Sequence, residues 1–371
     1  MRTIESSDFQ RILDALVTRG YTLLGPVVRD SAIVIDEIWD MKDLPRNFGD
    51  HQEPSHYSLS QRNDGAYFGF AAGPVAWKKY LFPPRVTLFT AQRSGKGFSV
   101  TPGIDGWSPR KLAFVGIRAC DLNAVAIQDR VFSAQEFVDP MYAAIRERVF
   151  TIAVHCTAPG ETCFCTSMGA GPKADHGFDL AVTELAGEGR HIFVVEPGSA
   201  AGSEILEEAA LRESTEEELH CAEDAVERSA ASISKRMEID GLPQILRENL
   251  EHPEWEAVAK RCLACANCTM VCPTCFCSAV EDSTDLEGTG AQRQRRWDSC
   301  FTMSFARVAG GNIRPSIRAR YRQWLTHKLG NWVDQFGTMG CVGCGRCITW
   351  CPAGIDITDE VDVIRGNGVH V

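Results

Sequence analysis

The sequence contains no run approaching the roughly 18–20 consecutive apolar residues that a membrane-spanning helix requires. Its first residues, MRTIESSDFQRILDALVTRG, place an acid at position 5 and hold no unbroken apolar stretch, so no secretory leader is expected. Phosphate and dinucleotide fingerprints are missing too. There is no Gly-x4-Gly-Lys-Ser/Thr loop, and no Gly-x-Gly-x-x-Gly after a strand-like run. Neither a Gly-x-Ser-x-Gly elbow nor a His-Glu-x-x-His helix is present. Positive charge is in deficit, 38 Lys and Arg against 49 Asp and Glu, and the net charge of −11 argues against a nucleic-acid partner. The expectation is a chain of the reducing cytoplasm, with no membrane or nucleic-acid partner.

With 44% apolar and 23% charged residues, the 371-residue chain has ordinary globular composition and is long enough for more than one core. Cysteine is the exception. Sixteen residues make about 4% of the chain, below the roughly 8–10% of disulfide-built scaffolds. In a reducing compartment such grouped cysteines imply metal binding or redox chemistry.

Strand-like runs occur at 32–35, 67–70, 86–90, 112–117, 150–155 and 191–195, with a helical stretch at 122–131. A first helix is expected over Ile12, Leu13, Leu16 and Val17, with a capping-box pattern at Ser7 and Gln10 and a stop at Gly20. These signals predict an α+β or α/β domain over residues 1–242. Within it, 204–237 reads as a solvated, charged helical pair. Composition shifts near Pro243. A helix-rich, ferredoxin-like domain with two [4Fe-4S] clusters is expected over 243–371, carrying an insertion at 278–340. In it 288–296 reads as a polar, basic loop, and 312–336 as one or two helices bearing Trp324 and Trp332. The tail at 365–371 is expected to fray.

Two cysteine combs define the second region. Cys262, Cys265, Cys268 and Cys272 precede Pro273; Cys341, Cys344, Cys347 and Cys351 precede Pro352 with identical spacing. A cubane needs four thiolates, three from a tight loop and one from elsewhere. In the bacterial two-cluster arrangement the fourth cysteine of each run ligates the other cluster. The expected sets are Cys262, Cys265, Cys268 with Cys351, and Cys341, Cys344, Cys347 with Cys272. Zinc sites use C-x2-C pairs, but not two evenly spaced four-cysteine runs each ending in Pro. Lys260, Arg261 and Arg346 near the combs either offset cluster charge or are solvated.

Eight cysteines lie outside the combs. Cys120 and Cys156 each end a strand-like run, and Cys163 and Cys165 follow. These four either hold a third cluster or are buried and inert. His155 is read as a satisfied strand-end histidine. Cys275, Cys277 and Cys300 either form a further metal site or pack around the two clusters; Cys221 is read as inert.

With these residues in view, the chain resembles the iron–sulfur β subunit of cytosolic bidirectional NiFe hydrogenases of the sulfhydrogenase type. The resemblance is carried by 116–121, Asp129–Phe132, 162–169 with Gly171-Pro172, 272–277, 296–300, Ala309–Gly311, His327-Lys328 and 341–347. Anaerobic sulfite reductases have a related subunit. The resemblance implies a redox subunit without a substrate site of its own, relaying electrons between the small and large NiFe hydrogenase subunits and a flavin subunit that binds NAD(P). The alternative is a relay for sulfite or polysulfide reduction. It also favours a third [4Fe-4S] cluster at Cys120, Cys156, Cys163 and Cys165.

Overall fold

The strands Lys111–Arg118 and Val149–Val154 are apolar almost throughout and buried on both faces, as parallel strands covered on both sides must be. In the computed structural model, which describes residues 1–71, 73–103, 108–134, 136–187 and 189–366, they sit at the middle of an eight-stranded sheet. From edge to edge its strands are Arg212–Glu213, Arg2–Glu5, Arg190–Pro197, Leu180–Gly187, Val149–Val154, Lys111–Arg118, Tyr21–Arg29 and Ala32–Glu37. The four consecutive strands from Leu180–Gly187 to Tyr21–Arg29 run parallel, and the pairings outside them are antiparallel. Ala113, Val115, Ile152 and Val182 pack with the helices Gln10–Thr18 and Ala200–Glu208. Leu112, Phe114, Ala153 and Ala181 face the helix Ala119–Phe132 instead. A bulge interrupts Lys111–Arg118 at Gly116, whose φ of +88° and the Phe68 ring 2.7 Å from a would-be Cβ exclude a side chain.

Most expected elements fall inside observed ones, and the exceptions have local causes. Residues 67–70 are not a strand. The amides of Tyr67 and Phe68 donate to the Glu184 carboxylate at 2.7 and 2.8 Å, and Arg118 donates to the carbonyls of Phe68 and Phe70. Side chains satisfy this backbone, so it needs no ladder. No Ser7–Gln10 capping box forms; Gln10 donates to Asp14 and accepts from the Met41 amide. The loop expected at 288–296 is largely the strand Gly290–Trp297. The charged 204–237 segment does hold two helices, Ala200–Glu208 and Glu216–Ser232. One of its acids, Glu218, is fully buried rather than solvated.

The C-terminal part mixes helix and sheet. Helices Leu242–Glu248, Glu254–Arg261, Ile317–Thr326, Trp332–Phe336 and Ile357–Arg365 surround a second core built on Trp255, Tyr321, Trp324, Leu325 and Ile357. Ser278–Thr284 and Gly290–Trp297 form a hairpin that pairs, through Gly290–Trp297, with Arg85–Ser94 and its partner Gly97–Pro102. Strand pairing therefore crosses residue 242. Residues 367–371, most of the tail expected to fray, lie outside the described residues. Among the described residues no helix is long and apolar enough to cross a membrane.

Glu218 ties the second charged helix to the sheet. It accepts from Arg212 at 2.6 and 2.8 Å, from Thr3 at 2.8 Å, and from Arg190. The Arg212 hydrogen bond is the chief reason its carboxyl is lowered to about 2 from the usual 4.5. A carboxyl depressed by folding stabilises above its unfolded value and loses that contribution as pH falls through the folded one. Glu218→Gln is expected to cost about 1–3 kcal/mol at pH 7, with the difference from wild type shrinking from about pH 4.5 toward pH 2. Equal denaturant midpoints at pH 7 would refute this.

Candidate metal centres

The helix Glu254–Arg261 ends at Cys262, where the backbone becomes extended. Ala264 and Ala266 then adopt φ of +50° and +70°, and Ala266 caps the short helix Asn267–Met270. The second comb repeats this with glycines: Gly343 at φ +64° and Gly345 at +73°, the latter capping Arg346–Thr349. Left-handed residues at matching positions curl each loop so that its three cysteines converge.

Cys262, Cys265, Cys268 and Cys351 line one cavity together with Cys347, and Phe301, Tyr321, Trp324, Ile355 and Ile357 wall it. The Cys268 thiol is pushed up by burial and then by the charges of Cys262, Cys351 and Cys265. The amide of Ala264 donates to Cys262 Sγ and that of Ile355 to Cys351 Sγ, both at 3.4 Å. The fourth cysteine of the second comb thus stands with the first three of the first.

The reciprocal group also assembles. The Cys347 thiol is raised by burial and then by Cys341, Cys344 and Cys272; Cys341 is raised to about 11, chiefly by burial, with Cys272 and Cys344 adding to it. Cys272 lies against Lys328, whose Nζ donates to its Sγ at 3.3 Å, to Thr274 Oγ1 at 3.0 Å and to the Gly340 carbonyl at 2.6 Å. Lys328 is buried in a π-helical turn, His327–Asn331. Burial opposes its charge, but Cys272, Cys275, Cys341 and Cys347 outweigh it and hold the ammonium charged.

Cys120 opens the helix after Lys111–Arg118, and Cys156 follows the adjacent parallel strand Val149–Val154. Both stand at the carboxyl ends of neighbouring parallel strands, where open α/β sheets place their ligands. Burial and then Cys165, Cys156 and Cys344 raise Cys163; Cys165 is raised to about 12 by burial, with Cys156 and Cys344 adding to it. Cys120 is raised by burial, with Asp121, Cys344 and Cys165 contributing. Cys120, Cys163 and Cys165 therefore share Cys344 as a neighbour, and Cys156 joins the group through Cys163 and Cys165. His155 is turned elsewhere: its Nδ1 accepts from Ala174 and its Nε2 lies 3.5 Å from Glu196.

The upstream segment and the second loop touch directly. Phe164 N donates to the Gly343 carbonyl at 2.8 Å. A Cβ on Gly343 would lie 2.5 Å from the Phe164 carbonyl oxygen, and one on Gly345 2.4 Å from Thr162 Oγ1. Arg346, 2% exposed, makes a two-pronged ion pair with buried Asp121 at 2.9 and 2.8 Å and donates to the Gly73 carbonyl. Of the three cations noted near the combs, only Arg346 is buried; Arg261 pairs with Glu360 and Glu254, and Lys260 lies outside the core.

Cys275 and Cys272 shift each other's titration, as do Cys277 and Cys300, which line one cavity. Cys221 is exposed on Glu216–Ser232, away from the other cysteines. Sequence reasoning missed Lys78, buried with its Nζ 2.9 Å from the Cys275 carbonyl and over the Trp297 ring. It also gave Lys328 no role, because nothing in its local sequence sets it apart from a surface lysine.

The donor sets suit iron–sulfur clusters. Most comb and upstream thiols are pushed upward by burial and by one another, so the positive charge of a bound metal would have to drive their deprotonation. Among the described residues no three His, Cys, Asp or Glu side chains are set to hold a single ion; a cubane spreads its thiolates over separate irons and asks for wider spacing. The amides at Cys262 and Cys351, with Lys328 and Arg346 nearby, supply the hydrogen bonds and positive charge that such centres use to set potential.

The 4Fe-4S dicluster domain family model matches residues 261–355. The chain is similar to the sulfhydrogenase 2 β subunit of Pyrococcus furiosus, 34% identical over 330 residues that cover 88% of this chain and 94% of that one. No solved structure matches.

The contrast between the loops can be tested. Gly343→Ala and Gly345→Ala are expected to destabilise by more than the roughly 1–3 kcal/mol of left-handed strain, because each also meets backbone of 162–164. Ala264→Gly and Ala266→Gly should leave stability within about 1 kcal/mol. Thermal melts of the four variants check this; equal losses in both loops would contradict the close approach.

Proposed function

Because the chain belongs to the family of sulfhydrogenase β subunits, we propose that it is the iron–sulfur relay of a hydrogenase complex. It passes electrons between the small and large NiFe subunits and a flavin subunit that binds NAD(P). Cys262, Cys265, Cys268 and Cys351 hold one [4Fe-4S] cluster; Cys341, Cys344, Cys347 and Cys272 hold the second. Cys120, Cys156, Cys163 and Cys165 hold a third. The supporting observation is the single cavity in which Cys351 joins the three leading cysteines of the other comb.

When bound, the clusters supply reversible one-electron transfer. The chain's own residues set its terms. Phe301, Tyr321, Trp324 and Ile357 exclude water from the first site. The ammonium of Lys328 faces Cys272 beside the second site, and the Arg346–Asp121 pair sits between the second and third. Organic redox chemistry belongs to the partner that holds the flavin.

Cys351→Ser is expected to deplete the cluster of the first comb and spare the second, read by iron quantitation and electron paramagnetic resonance; loss confined to the second cluster would refute cross-ligation. Lys328→Met removes a cation from beside Cys272 and should make the potential of the second cluster more negative in a redox titration. An unchanged potential would deny Lys328 that role. Affinity purification of the chain from its own cells should recover nickel–iron and flavin subunits. Recovery of a sirohaem-containing subunit in their place would overturn the hydrogenase assignment.

A further inference from the structure

We propose that Cys277 and Cys300 form a redox-active dithiol that reduces small organic disulfides bearing negative charge, with its electrons drawn from the adjoining iron–sulfur relay. The proposal rests on the relay reading for its source of electrons, and on separate observations for the rest.

The two cysteines are 23 residues apart in sequence but flank the base of one hairpin. Ser278 pairs with Trp297, and the Asp298 amide donates to the Cys277 carbonyl at 2.8 Å. This register brings Cys300 to Cys277, both line one cavity, and each thiol acts on the other's titration. Neither belongs to a comb. The remaining cysteine of the group, Cys275, does not line that cavity and is raised chiefly by Cys272.

The pair opens on a cavity of about 630 Å³, within the range of small-molecule sites. Phe276, Phe305 and Phe336 form apolar walls, while Arg314, His327 and Gln335 supply polar groups. The Nε of Arg314 is buried with no hydrogen-bond partner. A guanidinium with an unused buried donor at a cavity wall selects an anionic ligand. Cys277 is the more exposed thiol and Cys300 the buried one, the disposition of an attacking and a resolving cysteine. The neighbouring Cys300 holds Cys277 at about 7, which favours its thiolate.

The chemistry balances. Cys277 thiolate attacks one sulfur of the disulfide, forming a mixed disulfide and releasing the first thiolate, which takes a proton. Cys300 loses its proton and attacks the Cys277 sulfur; the second thiol leaves and a Cys277–Cys300 disulfide forms. Two electrons, delivered singly by the reduced clusters, and two protons from solvent restore the dithiol. Net, one disulfide and two electrons with two protons give two thiols. Lys328, which acts electrostatically on Cys272, Cys277 and Cys300 alike, stands between the second cluster and the pair.

The test uses the full chain with reconstituted clusters and oxidised glutathione as the anionic disulfide. In Cys300→Ser, peptide mass mapping after alkylation should find one glutathionyl group on Cys277. Wild type should show the Cys277–Cys300 disulfide, and after dithionite reduction it should release two thiols per pair of electrons withdrawn from the clusters. Iron content should be unchanged in Cys277→Ser and Cys300→Ser. Arg314→Gln should slow trapping by about tenfold with oxidised glutathione and leave the rate with uncharged hydroxyethyl disulfide unaltered. No adduct on Cys277 while exposed Cys221 reacts would overturn the dithiol, and so would iron loss in either cysteine variant, which would make the pair metal ligands. If clusters fail to assemble in wild type while the Cys277 adduct still forms, the relay is the reading that has failed and the electron source falls with it.

Discussion

The backbone of the second cysteine loop lies against the segment 162–165 with no room for a side chain between them, and much of the molecule follows from that contact. It requires glycine at 343 and 345, where the first loop manages the same left-handed turns with alanine. It carries Cys163 and Cys165 up to Cys344. It also takes Arg346, one residue past Gly345, out of solvent. A buried guanidinium without a partner costs several kcal/mol, so the loop can close only where a carboxylate waits. Asp121 is that carboxylate, and it is fixed because the preceding residue, Cys120, opens a helix at the end of a central strand. Two cysteine groups far apart in sequence are thereby locked into one geometry.

Charge explains the rest of the interior. Twelve thiols concentrated in two lobes would repel one another as thiolates, and burial alone pushes most of them toward the protonated state. Lys78, Lys328 and Arg346 are buried counter-charges, each positioned by a hydrogen bond to a backbone carbonyl. Such placement is costly for an empty protein, since cations and thiols both lose water. A negatively charged group held by these thiols would offset that cost. The asymmetry between the two loops fits this: the first relies on apolar walls and two amide donors, whereas the second sits among cations.

The parts legible in sequence were those with short-range rules. The combs state their own spacing, and the apolar runs at 112–117 and 150–155 announce central strands. Cys120 and Cys156 could be placed at strand ends from that alone. What stayed hidden depended on partners far along the chain. Residues 67–70 have strand-like composition, yet Glu184 and Arg118 take their hydrogen bonds. The segment 292–296 is polar enough to read as a loop, but it becomes a strand because Arg85–Ser94 offers an edge to pair with. Lys78 and Lys328 look like any surface lysine until the fold buries them. Glu218 likewise hides among ten or so solvated acids, separated from them only by Arg212, Arg190 and Thr3.

The cross-paired hairpins also decide what kind of object this protein is. Chain order suggests an α/β part followed by a cluster-binding part, but hydrogen bonding joins Gly290–Trp297 to Arg85–Ser94, and side chains continue the seam. Phe276, between Cys275 and Cys277, packs edge-on against Phe132 of the upstream helix and against Trp332 and Phe336 of the downstream one. The helix Ala119–Phe132 and the helix that follows Lys328 thus share one aromatic contact. Electron transfer falls steeply with distance, so a relay gains from any arrangement that stops its centres drifting apart. A flexible linker between two self-sufficient halves would allow that drift; strands exchanged across the boundary, an aromatic side chain wedged into both sides, and a buried ion pair between the cysteine groups do not.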